Sequence, residues 1–160
     1  MVLHHIFLVQ TEYYLYFCYY HSMARDKFHN LVRQALENDG WTITADPYQV
    51  PMGGRKAYID LGAERLIIGA QRGNDKIAVE IKTFSGMSDL QDLDQATGQF
   101  IRYRLALKKE EPDRKLYLAI PAVFYDRFFQ EVFFVELMED TGISILIYDE
   151  FNPIIKRWIR

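Results

Sequence analysis

The chain has 160 residues, enough for one domain with a sizeable core. Its 19 Lys and Arg stand against 22 Asp and Glu, a formal net charge of −3, so no overall basic field marks it for nucleic acid and any such contact needs a local patch. Cys18 is the sole cysteine, which excludes an intrachain disulfide and a cysteine-built zinc site and fits a reducing, cytoplasmic compartment.

The opening stretch, MVLHHIFLVQTEYYLYFCYYHS, is aromatic-rich and carries no Lys or Arg. Gln10, Thr11 and Glu12 interrupt its apolar run too early for a bilayer-spanning helix, and no small-residue cleavage site marks a secretory signal. Met23, Ala24, Arg25 and Asp26 read as a natural beginning. Residues 1–22 are therefore expected to be an upstream start-site extension and 23–160 the domain. The competing reading is a strand or helix that covers an apolar surface.

Phe28, Leu31, Val32, Ala35 and Leu36 recur at helical spacing from Asp26 to Asn38, and Gly40 supplies a stop. Trp41 to Ala45 alternates as a strand does, and Pro47, Pro51, Gly53 and Gly54 mark a loop. Three more strands are expected at Arg55 to Leu61, Leu66 to Gln71 and Ile77 to Thr83, as an antiparallel meander with a turn at Arg72 to Asp75. A helix from Ser88 to Lys109 carries Leu90, Leu93, Ala96, Phe100, Tyr103 and Leu107 on one stripe, with Ser88 as its N-cap. Gly98 inside that helix suggests close packing or close approach of a ligand. A buried strand at Leu116 to Ile120, an aromatic-rich helix at Val123 to Glu139, a strand at Ile143 to Tyr148 and a terminal strand or helical turn at Ile154 to Ile159 complete the order. This is an α/β three-layer sandwich with a mixed central sheet flanked by helices, an order shared with the restriction-endonuclease-like fold.

Chemistry concentrates in KIAVEIKTF and in the AYIDLG that precedes it. Residues two apart on a strand point to one face, so Glu80 and Lys82 project together while Ile81 turns into the core. With Asp60 on a neighbouring strand, two carboxylates converge beside an ammonium. Such a set suits a hard cation such as Mg²⁺, which activates water and offsets phosphate charge in metal-dependent nucleases. A Glu-x-Lys triplet arises by chance in roughly one chain of this size in two, usually as a salt-paired surface strand, so both readings stay open on spacing alone. Glu64 is a surface turn residue or an extra ligand. Arg102, Arg104, Lys108 and Lys109 share one helix and are either a basic patch or a solvated face.

IDLGAERLI, IAVEIKTF, SDLQDLDQATGQFIRYRLAL and KLYLAIP, in this order after Met23, resemble the XisH family. That family is named for factors controlling excision of the fdxN element in heterocyst-forming, nitrogen-fixing cyanobacteria. The resemblance implies a PD-(D/E)XK, restriction-endonuclease-like fold and a role in programmed DNA rearrangement. It further implies DNA, a large serine recombinase and a small XisI-like companion as partners, with self-association open and no membrane. Position by position, it carries the nuclease acids to Asp60 and Glu80, the lysine to Lys82, and a metal-binding backbone carbonyl to Ile81, with Mg²⁺ or Mn²⁺ as the ion. Gln99 completes the catalytic set, and Gln95, Tyr103 and Arg102 support it or contact DNA. Proline does not precede the first acid here, where Ile59 stands. The alternatives are an active Mg-dependent endonuclease and a toxin or defence nuclease held by a companion protein.

Overall fold

The computed structural model describes residues 27–66, 74–84 and 88–160. Helix α1 covers 27–38 of these. Strands β1 (Thr42–Ala45), β2 (Tyr48–Met52), β3 (Arg55–Ile59), β4 (Leu61–Leu66) and β5 (Asn74–Ile81) follow, then α2 (Asp89–Glu110), β6 (Arg114–Pro121), α3 (Ala122–Phe128), α4 (Val132–Thr141), β7 (Ile145–Tyr148) and β8 (Ile155–Ile159). Six strands form one sheet in the order β1-β4-β5-β6-β7-β8, and β2 and β3 form a separate ribbon. β5, β6 and β7 run parallel while the outer pairings are antiparallel, so the sheet is mixed.

The strand period divides the core in two. Ala78, Leu116, Leu118 and Ile120 face one side and pack against α2, α3, α4 and the ribbon. Ile77, Val79, Tyr117 and Ala119 face the other and pack against Val32 and Leu36 of α1. Because both faces are covered, β6 reads as a nearly continuous apolar run from Leu116 to Pro121, and β5 carries a shorter one from Ile77 to Val79. Helix α2 buries Leu93, Ala96, Phe100, Tyr103, Ala106 and Leu107, and its ends suit the helix dipole, with Asp89 and Asp92 in the first turn and Lys108 and Lys109 in the last. Ser88 caps it by accepting the Gln91 N–H. Among the described residues no helix is long and apolar enough to cross a membrane.

Several expectations need correction. The stretch around Pro47 and Pro51 is not a loop but β2, which pairs with β3 through a turn at Gly53 and Gly54, both at positive φ of 55° and 76°. Pro51 is tolerated there because a two-stranded ribbon leaves one edge of each strand unpaired. The run from Arg55 to Leu61 is not one strand, since the chain leaves the ribbon at Asp60 and enters the main sheet as β4. The helix expected from Val123 to Glu139 breaks at 129–131. Phe124 and Phe134 are both buried, and ten residues apart in an unbroken helix they would lie about 80° from one face. Leu90 is exposed rather than on the buried stripe. A Cβ on Gly98 would meet only the Arg102 guanidinium at 3.8 Å, so packing does not demand glycine there. The start-site extension over 1–22, and most of the strand and turn expected at 66–75, lie outside the described residues.

The β7–β8 turn gives a first test. Asp149 Oδ1 accepts the N–H groups of Phe151 at 2.9 Å and Asn152 at 2.8 Å, and Oδ2 lies 3.0 Å from Lys156 Nζ. The Phe151 hydrogen bond, then Lys156 and Asn152, hold this carboxyl down at about 2. A carboxyl lowered in the folded state stabilises above its unfolded pKa and loses that contribution as pH falls through the folded one. Asp149→Ala is therefore expected to melt below the wild type at pH 7, with the gap closing between about pH 4 and about pH 2. Thermal melts across that window check it.

Candidate functional site

Asp60 sits where the ribbon hands the chain to the main sheet, between buried Ile59 and buried Leu61. Its Oδ2 accepts the backbone N–H of Ile81 at 2.7 Å, which ties the junction to the end of β5. The antiparallel register pairs Leu61 with Val79, and one further step brings Asp60 to Glu80. Gly62 lets the ribbon come this close: a Cβ there would stand 2.6 Å from the ring of Tyr48.

Glu80 is 4% exposed. Its Oε1 lies 3.2 Å from Lys82 Nζ, and that ammonium donates to Gln99 Oε1 at 2.7 Å. Gln99 Nε2 then donates to the Tyr103 hydroxyl at 2.7 Å, and Tyr103 donates to the Tyr58 carbonyl at 2.9 Å. An ammonium can only donate and a carbonyl only accept, so both ends of the relay fix the Gln99 amide in one orientation. Burial pushes the Tyr103 phenol up, with the Glu80 and Asp60 carboxylates adding to the rise and the Gln99 hydrogen bond opposing it. At neutral pH it stays protonated and serves as the donor to Tyr58.

β5, the ribbon and α2 thus bring Asp60, Ile81, Glu80, Lys82, Gln99 and Tyr103 to one end of the sheet. Ile81 packs against the α1 side of the core. Gln95 and Arg102 are exposed, and neither enters the relay. Gln95 precedes Gln99 by one turn, but each four-residue step rotates about 40°, which carries it away from the face that buries Tyr103. The basic patch does not form as a unit either. The Arg104 guanidinium donates to the carbonyls of Thr141 and Gly142, closing the end of α4, while Lys108 and Lys109 stay in solvent. Glu64 pairs with Arg114 at 2.9 Å, so its carboxylate serves an ion pair rather than the Asp60 site. Tyr58 was not legible as a participant, since it contributes only a backbone oxygen.

The carboxylates here belong to Asp60 and Glu80, with Asp60 Oδ2 held by the Ile81 N–H and Glu80 Oε1 beside Lys82 Nζ. Among the described residues no group of three or more His, Cys, Asp or Glu could hold a metal ion. Mg²⁺ commonly takes one or two carboxylates and keeps several waters, and carboxylate is the donor type that Asp60 and Glu80 offer.

A family model described as XisH protein matches residues 22–156. Two solved structures are similar, an XisH family protein from Nostoc punctiforme PCC 73102 and an fdxN element excision controlling factor protein from Anabaena variabilis. Each is 41% identical with a TM-score of 0.75, covering 84% of this chain and 99% of its own. Among curated proteins nothing matches. A family match from residue 22 to 156, joined to two such structures with the same fold, means that this chain belongs to the XisH family.

Proposed function

We propose that the chain controls site-specific excision of a DNA element, on a scaffold of the restriction-endonuclease-like, PD-(D/E)XK type. The observation that carries this reading is the 41% identity to an fdxN element excision controlling factor protein across 84% of this chain. The mixed sheet between helical layers, and the order Asp60, Glu80, Lys82 along it, support the scaffold. DNA, a serine recombinase and an XisI-like companion are the partners. Control through protein contact suits the net charge of −3 and the apolar side chains that α4 exposes, Val132 at 69% and Phe133 at 65%.

A second reading, a metal-dependent endonuclease, is favoured by one observation: the Lys82 ammonium is held between Glu80 and Gln99 rather than swinging in solvent. In it Asp60, Glu80 and the Ile81 carbonyl hold Mg²⁺ or Mn²⁺, Lys82 orients the attacking water or grips the phosphate, and Gln99 fixes Lys82. The bound ion would lower the pKa of that water and offset charge on the scissile phosphate. Restoring a deletion strain with the wild type or with Glu80→Ala separates the readings. Excision restored by both supports control without chemistry. Restoration by the wild type alone, with Mg²⁺-dependent cleavage of supercoiled or branched DNA that Glu80→Ala and Lys82→Ala abolish, supports the second.

A further inference from the structure

At the opposite end of β5, about 23 Å from Lys82 along the strand, a cleft of about 580 Å³ opens on the α1 face of the sheet. Its size falls within the ~300–1,000 Å³ of small-ligand sites. Trp41, Tyr117 and Trp158 form its floor. Trp158 is the half-buried member, on edge strand β8. Tyr117 meets it edge-on at 4.8 Å and Trp41 flanks it at 5.9 Å, so two buried rings fix its orientation.

The rim is cationic, and its cations divide in two. Arg65 lies over the Trp41 ring at 4.5 Å with Asp39 at 3.8 Å and Asp75 at 4.0 Å, and Lys76 lies 3.4 Å from Asp113. Lys115 enters no ion pair among the described residues, and Arg160 uses Nε to donate to the Tyr117 hydroxyl at 3.1 Å. A second cleft of about 310 Å³ shares Lys115, Tyr117 and Arg160, adds Arg104 and Lys108, and has no Asp or Glu in its lining. Lys115 and Arg160 thus form a positive ridge between the aromatic cleft and the second one.

We propose that this end of the molecule binds single-stranded DNA, with one base in the Trp158 cleft, its phosphate on Lys115 and Arg160, and the neighbouring nucleotide in the second cleft. Every base has a π-face, so an aromatic floor with a cationic track holds a strand with little regard to sequence. A duplex keeps its bases in the stack and cannot fill the floor. A free nucleotide would leave the second cleft unused. The site adds to the excision-control reading without resting on it, because it involves neither Asp60 nor the Glu80 to Tyr103 relay.

The test is titration of the full chain at fixed, low salt with oligothymidine, blunt duplex, dTMP and inorganic phosphate. Tryptophan fluorescence and the anisotropy of labelled DNA are the two readouts. Oligothymidine is expected to bind best and to quench tryptophan emission, with affinity falling roughly tenfold or more in Lys115→Glu. Trp158→Phe should fold, since it keeps an aromatic ring, and should lose most of the quench. The proposal is overturned if oligothymidine does not bind, if duplex or dTMP binds as tightly, or if Lys115→Glu leaves the affinity unchanged.

Discussion

Replacing Lys82 with methionine is expected to destabilise the fold by about 3 kcal/mol, and adding Glu80→Leu in the same chain to return most of that loss. Glu80 is 4% exposed and its carboxylate lies 3.2 Å from the Lys82 ammonium. Taking the ammonium away leaves the acid buried without that cation and deprives Gln99 of its 2.7 Å donor. Removing one partner of a buried pair commonly costs about 3–5 kcal/mol, whereas replacing both by apolar side chains is often neutral or stabilising. Lys82 is 21% exposed at its side chain, so the lower end applies. Urea unfolding of the two variants measures the difference, and a Lys82→Met chain as stable as the wild type would mean that the ammonium does not offset the burial of Glu80. A pair that an apolar couple could replace without loss is retained for something other than stability.

Arg114→Ala is expected to lower stability by a comparable amount, about 3 kcal/mol, at a position with no part in the Asp60 site. The Arg114 side chain is 4% exposed. It donates to the Ile77 carbonyl at 2.9 Å, to Glu111 at 2.9 Å and to Glu64 at 2.9 Å, and lies over the Tyr48 ring at 4.5 Å. One planar fork thereby joins β6 to β4, β5, the ribbon and the end of α2. Burial pushes the Glu111 carboxyl up, but hydrogen bonds from Tyr48 and Arg114 outweigh it and hold the group below its usual range. Burial and then the Glu111 bond push the Tyr48 phenol up to about 12. Glu64 and Glu111 are about a third exposed at 28% and 33% and can rehydrate, which keeps the loss below the upper end for buried pairs. Arg114→Lys should recover little, since an ammonium lacks the fork. A urea midpoint within error of the wild type for Arg114→Ala would contradict this.

The Glu80 and Lys82 projection was legible because a strand has period two and the residues between are apolar, a pattern that needs no tertiary information. Gln99 and Tyr103 were legible because a helix puts positions four apart on one face. Asp60 was readable as an acid at the end of an apolar run, but not as the junction between two sheets, because nothing local distinguishes a strand that continues from one that changes sheets. The exposure of Gln95 was not legible, because spacing alone does not locate the boundary of a helix's buried arc. Arg114 was invisible because Ile77, Glu64 and Tyr48 lie 37 to 66 positions away, and only the folded sheet brings them to it. The stretch around Trp158 reads equally as a strand or a helical turn, and its cleft depends on Trp41, which lies far away in the chain.

The most direct measurement of the central claim is the amount of excised element junction in cells that encode this chain, with its gene intact, deleted and restored. The excision-control reading predicts that deletion abolishes the junction product and that the restored gene returns it. Excision at an unchanged level in the deletion strain would contradict it.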